Sequence, residues 1–160
     1  MRERAFAVLA DRVRDARFLD LFAGTGAVGL EALSRGARSV VFVERHRAAA
    51  HLIEENSASF DLTADRAELM VRGAASAVDN LARRGGSFDI AWADPPFECW
   101  REGLEVVLKL FEVGMLPAGA LACLECPARA DVESALPENL QITRDLAGSA
   151  SRMVMIESRI

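Results

Sequence analysis

Hydrophobic positions along this chain recur in two alternating rhythms. Short apolar runs bounded by glycine or charge, at Arg17–Phe22 (RFLDLF), Ser39–Glu44 (SVVFVE), Phe88–Ala93 (FDIAWA) and Ala120–Glu125, predict buried strands, and Ala67–Arg72 predicts a weaker one. Between them, apolar residues at helical spacing predict helices over 4–14, Ala27–Ser34, Arg47–Asn56, Ala75–Ala82 and Trp100–Phe111. Gly36 closes the second of these, and Gly85-Gly86 lies just past the fourth. The tail holds two further strand patterns, Leu140–Leu146 and Arg152–Ser158, around Gly148. So short a connection predicts a hairpin.

Strands that alternate with helices predict an α/β domain of Rossmann-like type, with a mostly parallel sheet and helices on both faces. The closing hairpin adds one antiparallel C-terminal strand. In such a sheet a ligand lies beyond the carboxyl ends of the strands, where the strand order reverses. Residues 1–160 are the length of one domain.

Composition narrows the function classes. Hydrophobic residues make up 51% and charged residues 27%, a globular balance. No apolar run approaches a bilayer span, and the N-terminus has no signal-peptide h-region, so a cytoplasmic protein with no membrane contact is expected. A monomer is expected. The net charge of −5 argues against gripping nucleic acid by charge alone. Arg2, Arg4, Arg12, Arg14 and Arg17 crowd the first segment and Arg83-Arg84 form a second cluster, both read as solvated faces. Cys123 and Cys126 form a C-x-x-C inside a predicted buried strand, Cys99 stands alone, and His46 and His51 do not share a helix face. No metal site is expected from these residues.

The first strand runs into Asp20-Leu21-Phe22-Ala23-Gly24-Thr25-Gly26-Ala27-Val28-Gly29, in which three glycines match G-x-G-x-x-G. Missing Cβ atoms there allow a tight turn and close approach of a ligand to the backbone. Glu44 ends the second strand about 20 residues on, where a carboxylate can accept hydrogen bonds from both ribose hydroxyls. Nicotinamide dinucleotide sites share both features. Asp20 tilts the choice, because a carboxylate beside the loop repels a pyrophosphate but suits the sulfonium and ammonium of S-adenosylmethionine. Asp20, the loop glycines and Glu44 are therefore the expected cofactor contacts.

Asp94-Pro95-Pro96-Phe97 follows the FDIAWA strand. Two prolines stiffen the turn and leave carbonyls unpaired. A carboxylate and a free carbonyl can clamp a group with two N–H donors, such as the exocyclic amine of a base, while Phe97 offers a face for stacking. Accepting hydrogen bonds from that amine raises electron density on a nitrogen whose lone pair is otherwise delocalised. Asp94, Pro95, Pro96 and Phe97 are the expected catalytic residues, with Asp94 able to take the released proton.

With Asp20-Leu-Phe-Ala-Gly-Thr-Gly and Asp94-Pro-Pro-Phe in one chain, the sequence resembles the RsmD type of bacterial small-subunit ribosomal RNA (guanine-N2)-methyltransferase. FLDLFAGTGAVGLEALSRGA, VVFVE and DIAWADPPF carry the resemblance, which runs thinly through 1–160. The run from Gly29 to Gly36 (GLEALSRG) is its most specific part. The resemblance implies a class I, seven-stranded methyltransferase fold. It also implies S-adenosylmethionine as cofactor, held by Asp20, Phe22, Ala23, Gly24, Thr25, Gly26, Glu44 and Arg45, S-adenosylhomocysteine as product, and a guanine N2 amine of ribosomal RNA in the small subunit as substrate. The base must be flipped or unpaired to be reached. Two departures stand out. The family carries a basic β-hairpin segment ahead of the helix that matches Arg2–Arg14, and here Met1 sits almost at that helix, so poor methylation of naked RNA is expected. After the third strand the family often has an acid or amide for the adenine amine. Gly73-Ala74-Ala75 has none, so backbone at Gly73 and Ala74 is expected to serve instead.

Other readings share these residues. Base amines of DNA or of another RNA suit the same turn. A nicotinamide-linked oxidoreductase suits the glycine loop, but the chain has no tyrosine to relay a proton and no second substrate domain. A non-catalytic cofactor-binding module is a further alternative.

Overall fold

The computed structural model describes residues 1–159. The strands are β1 (Arg17–Leu21), β2 (Ser39–Val43), β3 (Ala67–Met70), β4 (Ile90–Ala93), β5 (Leu121–Pro127), β6 (Leu140–Ala147) and β7 (Ser151–Ser158). The helices are α1 (Arg2–Leu9), α2 (Ala27–Ser34), α3 (Arg47–Ser57), α4 (Ala74–Arg83) and α5 (Trp100–Glu112). All seven strands form one sheet in the order β3-β2-β1-β4-β5-β7-β6. Pairs among β1 to β5 are parallel, while β7 is antiparallel to both β5 and β6. Only β7 runs against the rest, as the tail pattern predicts. The chain lays β2 and β3 on one side of β1, then returns to lay β4 on the other. That reversal places the loop after β1 and the turn after β4 side by side.

Alternation within the strands builds two cores. Leu19, Leu21, Ala91, Ala93, Ala122 and Leu124 pack under α4 and α5. Phe18, Val40, Phe42, Ile90, Trp92 and Cys123 pack under α1, α2 and α3. Phe6 fixes α1 to the sheet, with its ring 5.5 Å from Trp92 and 6.3 Å from Phe18. A Cβ on Gly29 would lie 2.3 Å from Phe42 Cε1, so only glycine lets α2 rest directly on β2.

The sequence pattern overruns the elements in places. The helix expected over 4–14 becomes α1 and then a 3₁₀ turn at Ala10–Val13, with Ala10 at φ 42°. Phe88 and Asp89 precede β4 instead of opening it: the Phe88 amide donates to the Met115 carbonyl, and Asp89 is held by the Arg17 guanidinium. Strand β3 stops at Met70, whose carbonyl accepts from both Glu44 and Arg72 amides and turns the chain.

Candidate active site

The glycine loop leaves β1 through three left-handed residues, Phe22 (φ 57°), Gly24 (φ 57°) and Gly26 (φ 80°). The Ala23 amide donates to the Val43 carbonyl, which ties the loop to the end of β2. Asp20, 1% exposed, accepts from the Gly29 amide at 2.9 Å. Burial pushes its carboxyl up to about 7. The Gly29 amide opposes the rise, and the charges of Asp94 and Glu44 add to it. Glu44, also buried, accepts from the Gly24 amide through Oε2 and from the His46 amide through Oε1, both at 2.8 Å. Each oxygen keeps a second lone pair.

At the end of β4, Asp94 is open to solvent on one side and walled by the groove on the other. Desolvation pushes its carboxyl up to about 6, the Glu125 charge adds to this, and the Met1 ammonium offsets part of it. The Pro96 carbonyl accepts from the Cys99 amide at 2.8 Å and starts the 3₁₀ turn Phe97–Cys99 that leads into α5. The Pro95 carbonyl accepts no hydrogen bond among the described residues. Pro95 itself is buried against α5, where a Cβ on Gly103 would lie 2.6 Å from Pro95 Cγ. Phe97 is 50% exposed.

Loop and turn line one groove of about 580 Å³. Of the residues expected to hold a cofactor, Asp20, Phe22, Ala23, Gly24, Thr25, Glu44, Arg45 and Ala74 line it, and so do all four residues of Asp94–Phe97. Gly26 does not. It faces the Ile53 side chain, where a Cβ would come within 3.2 Å, and its role is to turn the chain into α2. Gly73 does not line it either and precedes α4 as that helix's N-cap residue. Arg2, His46, Arg72, Cys99 and Glu102 border the groove without having been singled out for it. They come from four separate stretches of chain that only the fold brings together.

The remaining motifs find structural places. Cys123 and Cys126 lie three apart on β5 and so point into opposite cores, which keeps them from sharing an ion. Most of the first-segment arginines are tied down: Arg2 to Glu31, Arg12 to Glu157, Arg17 to Asp89, and Arg4 to the Ala147 carbonyl. Arg84 pairs with Glu68.

Chemically the groove has two halves. The loop half presents carboxylates and backbone positions suited to a cation that carries hydroxyls. The turn half presents acceptors and an exposed aromatic ring.

The family described as conserved hypothetical protein 95 matches residues 1–156. The chain belongs to this family. It is 38% identical over 139 residues to the Escherichia coli (strain K12) protein named ribosomal RNA small subunit methyltransferase D, covering 86% of this chain and 64% of that protein. The chain thus spans less than two thirds of that relative's length. A Haemophilus influenzae protein of the same name is 29% identical over 147 residues, which cover 91% of this chain and 73% of that one. Among solved structures, a Streptococcus pyogenes conserved hypothetical protein superposes with a TM-score of 0.84 at 26% identity, covering 99% of this chain and 96% of that one. An Escherichia coli structure does so with 0.81 at 31%, covering 98% and 83%. The resemblance read from the glycine loop and the Asp-Pro-Pro-Phe turn is thereby borne out, as is the seven-stranded methyltransferase fold.

Proposed function

We propose that this chain transfers a methyl group from S-adenosylmethionine to the exocyclic N2 amine of a guanine in small-subunit ribosomal RNA. The observation that carries the reading is the single groove joining the glycine loop and Glu44 to the Asp94–Phe97 turn. Two relatives bear the name ribosomal RNA small subunit methyltransferase D, which supports ribosomal RNA as the substrate class.

The residues present fit the cofactor. Asp20 is buried without a basic partner among the described residues, and a cation beside it would relieve the cost of its charge. Glu44 is fixed by the Gly24 and His46 amides and keeps lone pairs for a diol. Ala74 brings backbone to the groove where no acidic or amide side chain stands after β3. The bound cofactor supplies an electrophilic methyl group on sulfur.

The chain's own residues act on the amine. Asp94 and the Pro95 carbonyl accept its two N–H groups and hold the lone pair toward the loop half. Both acceptors stand where positive charge grows on nitrogen. Phe97 stacks on the base. Asp94, ionised above about pH 6, then takes the proton. The substrate class places the protein beside ribosomes, acting as a monomer on a base out of its stack.

The test is incubation of the purified chain with labelled S-adenosylmethionine and small ribosomal subunits lacking the modification, followed by nucleoside analysis. Label in N2-methylguanosine is expected. Label in another nucleoside would overturn the guanine assignment, and label taken up only in a parallel incubation with DNA would overturn the RNA assignment.

A further inference from the structure

We propose that Glu125, at the carboxyl end of β5, is the residue that selects guanine, by accepting the N1–H beside the amine held at Asp94. The inference rests on the reading above and assigns a partner to each donor of one base edge.

The placement follows from register. Ala93 pairs with Leu124 across β4 and β5, and both face α4 and α5. Asp94 and Glu125 are the next residues on neighbouring strands, so alternation turns both carboxylates toward the α1 side of the sheet. Neighbouring strands lie about 4.8 Å apart, which sets the two groups side by side. The charge of Glu125 reaches Asp94 strongly enough to raise its carboxyl. Glu102, by contrast, sits on α5 and borders the groove from the other layer.

Glu125 is held for use. The Ser151 hydroxyl donates to its Oε1 at 2.6 Å, while Oε2 accepts nothing among the described residues. It is half-buried and forms no salt bridge there, and neither does Asp94. The Met1 ammonium offsets only part of the charge at Asp94, and two adjacent carboxylates with no side-chain cation paired to either among the described residues repel each other. A ligand with several N–H donors on one edge removes that cost.

Guanine has such an edge. One N2–H meets Asp94, the other meets the free Pro95 carbonyl, and N1–H meets Glu125. Adenine carries a lone pair at N1, which a carboxylate repels. A site built to accept an N–H rejects an analogue that lacks it more strongly than an apolar pocket rejects a change of size.

The experiment uses assembled small subunits whose RNA carries either guanine or, by ligation, 2-aminopurine at the methylated nucleotide. 2-Aminopurine keeps the amine but has a lone pair at N1. The wild-type chain is expected to prefer guanine by about ten- to a hundred-fold in kcat/KM. Glu125→Gln, whose amide can donate to that lone pair, is expected to cut the preference at least tenfold while keeping its thermal shift with S-adenosylhomocysteine. Ser151→Ala, which only unpins Glu125, is expected to weaken the preference a few-fold. A preference unchanged in both variants overturns the assignment. So does a folded Glu125→Gln protein equally dead on both bases, since Glu125 would then serve the chemistry and not the choice. If the wild-type chain methylates no guanine at all, the proposed function itself fails and this inference falls with it.

Discussion

The two halves of the groove are built on opposite plans. In the loop half every acid is tied to backbone: Asp20 to the Gly29 amide, Glu44 to the Gly24 and His46 amides, and both are buried. In the turn half Asp94 stands open, the Pro95 carbonyl is free among the described residues, and Phe97 is half exposed. A pre-formed, closed set of partners suits a small ligand of fixed shape, because little ordering is left for binding to do. An open set of acceptors around an exposed ring suits one nucleotide of a large partner that arrives with its own structure. Binding and chemistry should therefore separate cleanly when the two halves are altered one at a time.

The largest expected effect falls on the turn. Asp94→Ala should lower kcat by about a hundred- to a thousand-fold, the range for losing one pre-placed electrostatic partner. Its thermal shift with S-adenosylhomocysteine should stay within a degree or so of wild type. Loss of that shift would mean the halves are not separate. In the wild type, kcat/KM should rise with pH through about 6 and level off as Asp94 loses its proton. A flat profile from pH 5 to 7 would remove Asp94 as the proton acceptor.

Asp20→Asn should act on the other half. The folded-state carboxyl lies at about 7 and the unfolded one near 4, so between those values the folded chain holds a proton that the unfolded chain has lost. Wild-type stability therefore loses ground as pH rises from about 4 to 7, and the deficit stays constant above that. Asparagine removes the deficit. The variant should exceed the wild type by about 1–3 kcal/mol at pH 8 without ligand, with no gain near pH 4, in denaturant titrations. It should also bind S-adenosylhomocysteine or S-adenosylmethionine at least tenfold more weakly. A variant that is no more stable at pH 8 would show that Asp20 carries no such strain.

The fold was legible because periodicity reports burial directly. The α2 range Ala27–Ser34 matches the sequence pattern at both ends, and β7 emerges as the one reversed strand. Misplaced boundaries arose where long-range partners decide, as where Arg17 claims Asp89 from the start of β4. The site was legible where its chemistry is contiguous, in Asp20–Thr25 and Asp94–Phe97. Gly26 and Gly73 show the limit of a motif, since neighbours in sequence need not share a surface: one turns toward Ile53 and the other precedes α4. Arg72, Glu102 and Glu125 carry no local signal. Arg72 lies between β3 and α4, Glu102 in the first turn of α5 and Glu125 within β5; the fold brings the first two to the groove and sets Glu125 beside Asp94. Gly103 could have been noticed as a glycine inside a helix, a position that usually marks close packing, here against Pro95.

The smallest effect sharpens the contrast furthest. Phe97→Ala should raise KM for the RNA substrate about ten-fold, the scale of one lost stacking contact. It should leave stability unchanged, because the ring is half exposed and supports no core. A drop in stability would make Phe97 a packing residue.

The most direct measurement is thermal unfolding of the purified chain with S-adenosylhomocysteine and, in parallel, with NADH. At a ligand concentration of 100 times the dissociation constant, binding adds about 2.7 kcal/mol. For a domain of this size that is a rise on the order of 5–10 °C. A rise with S-adenosylhomocysteine and none with NADH is the result expected of a groove whose loop half presents the carboxylates of Asp20 and Glu44. A rise with NADH alone would contradict it and leave Asp94–Phe97 as a structural turn.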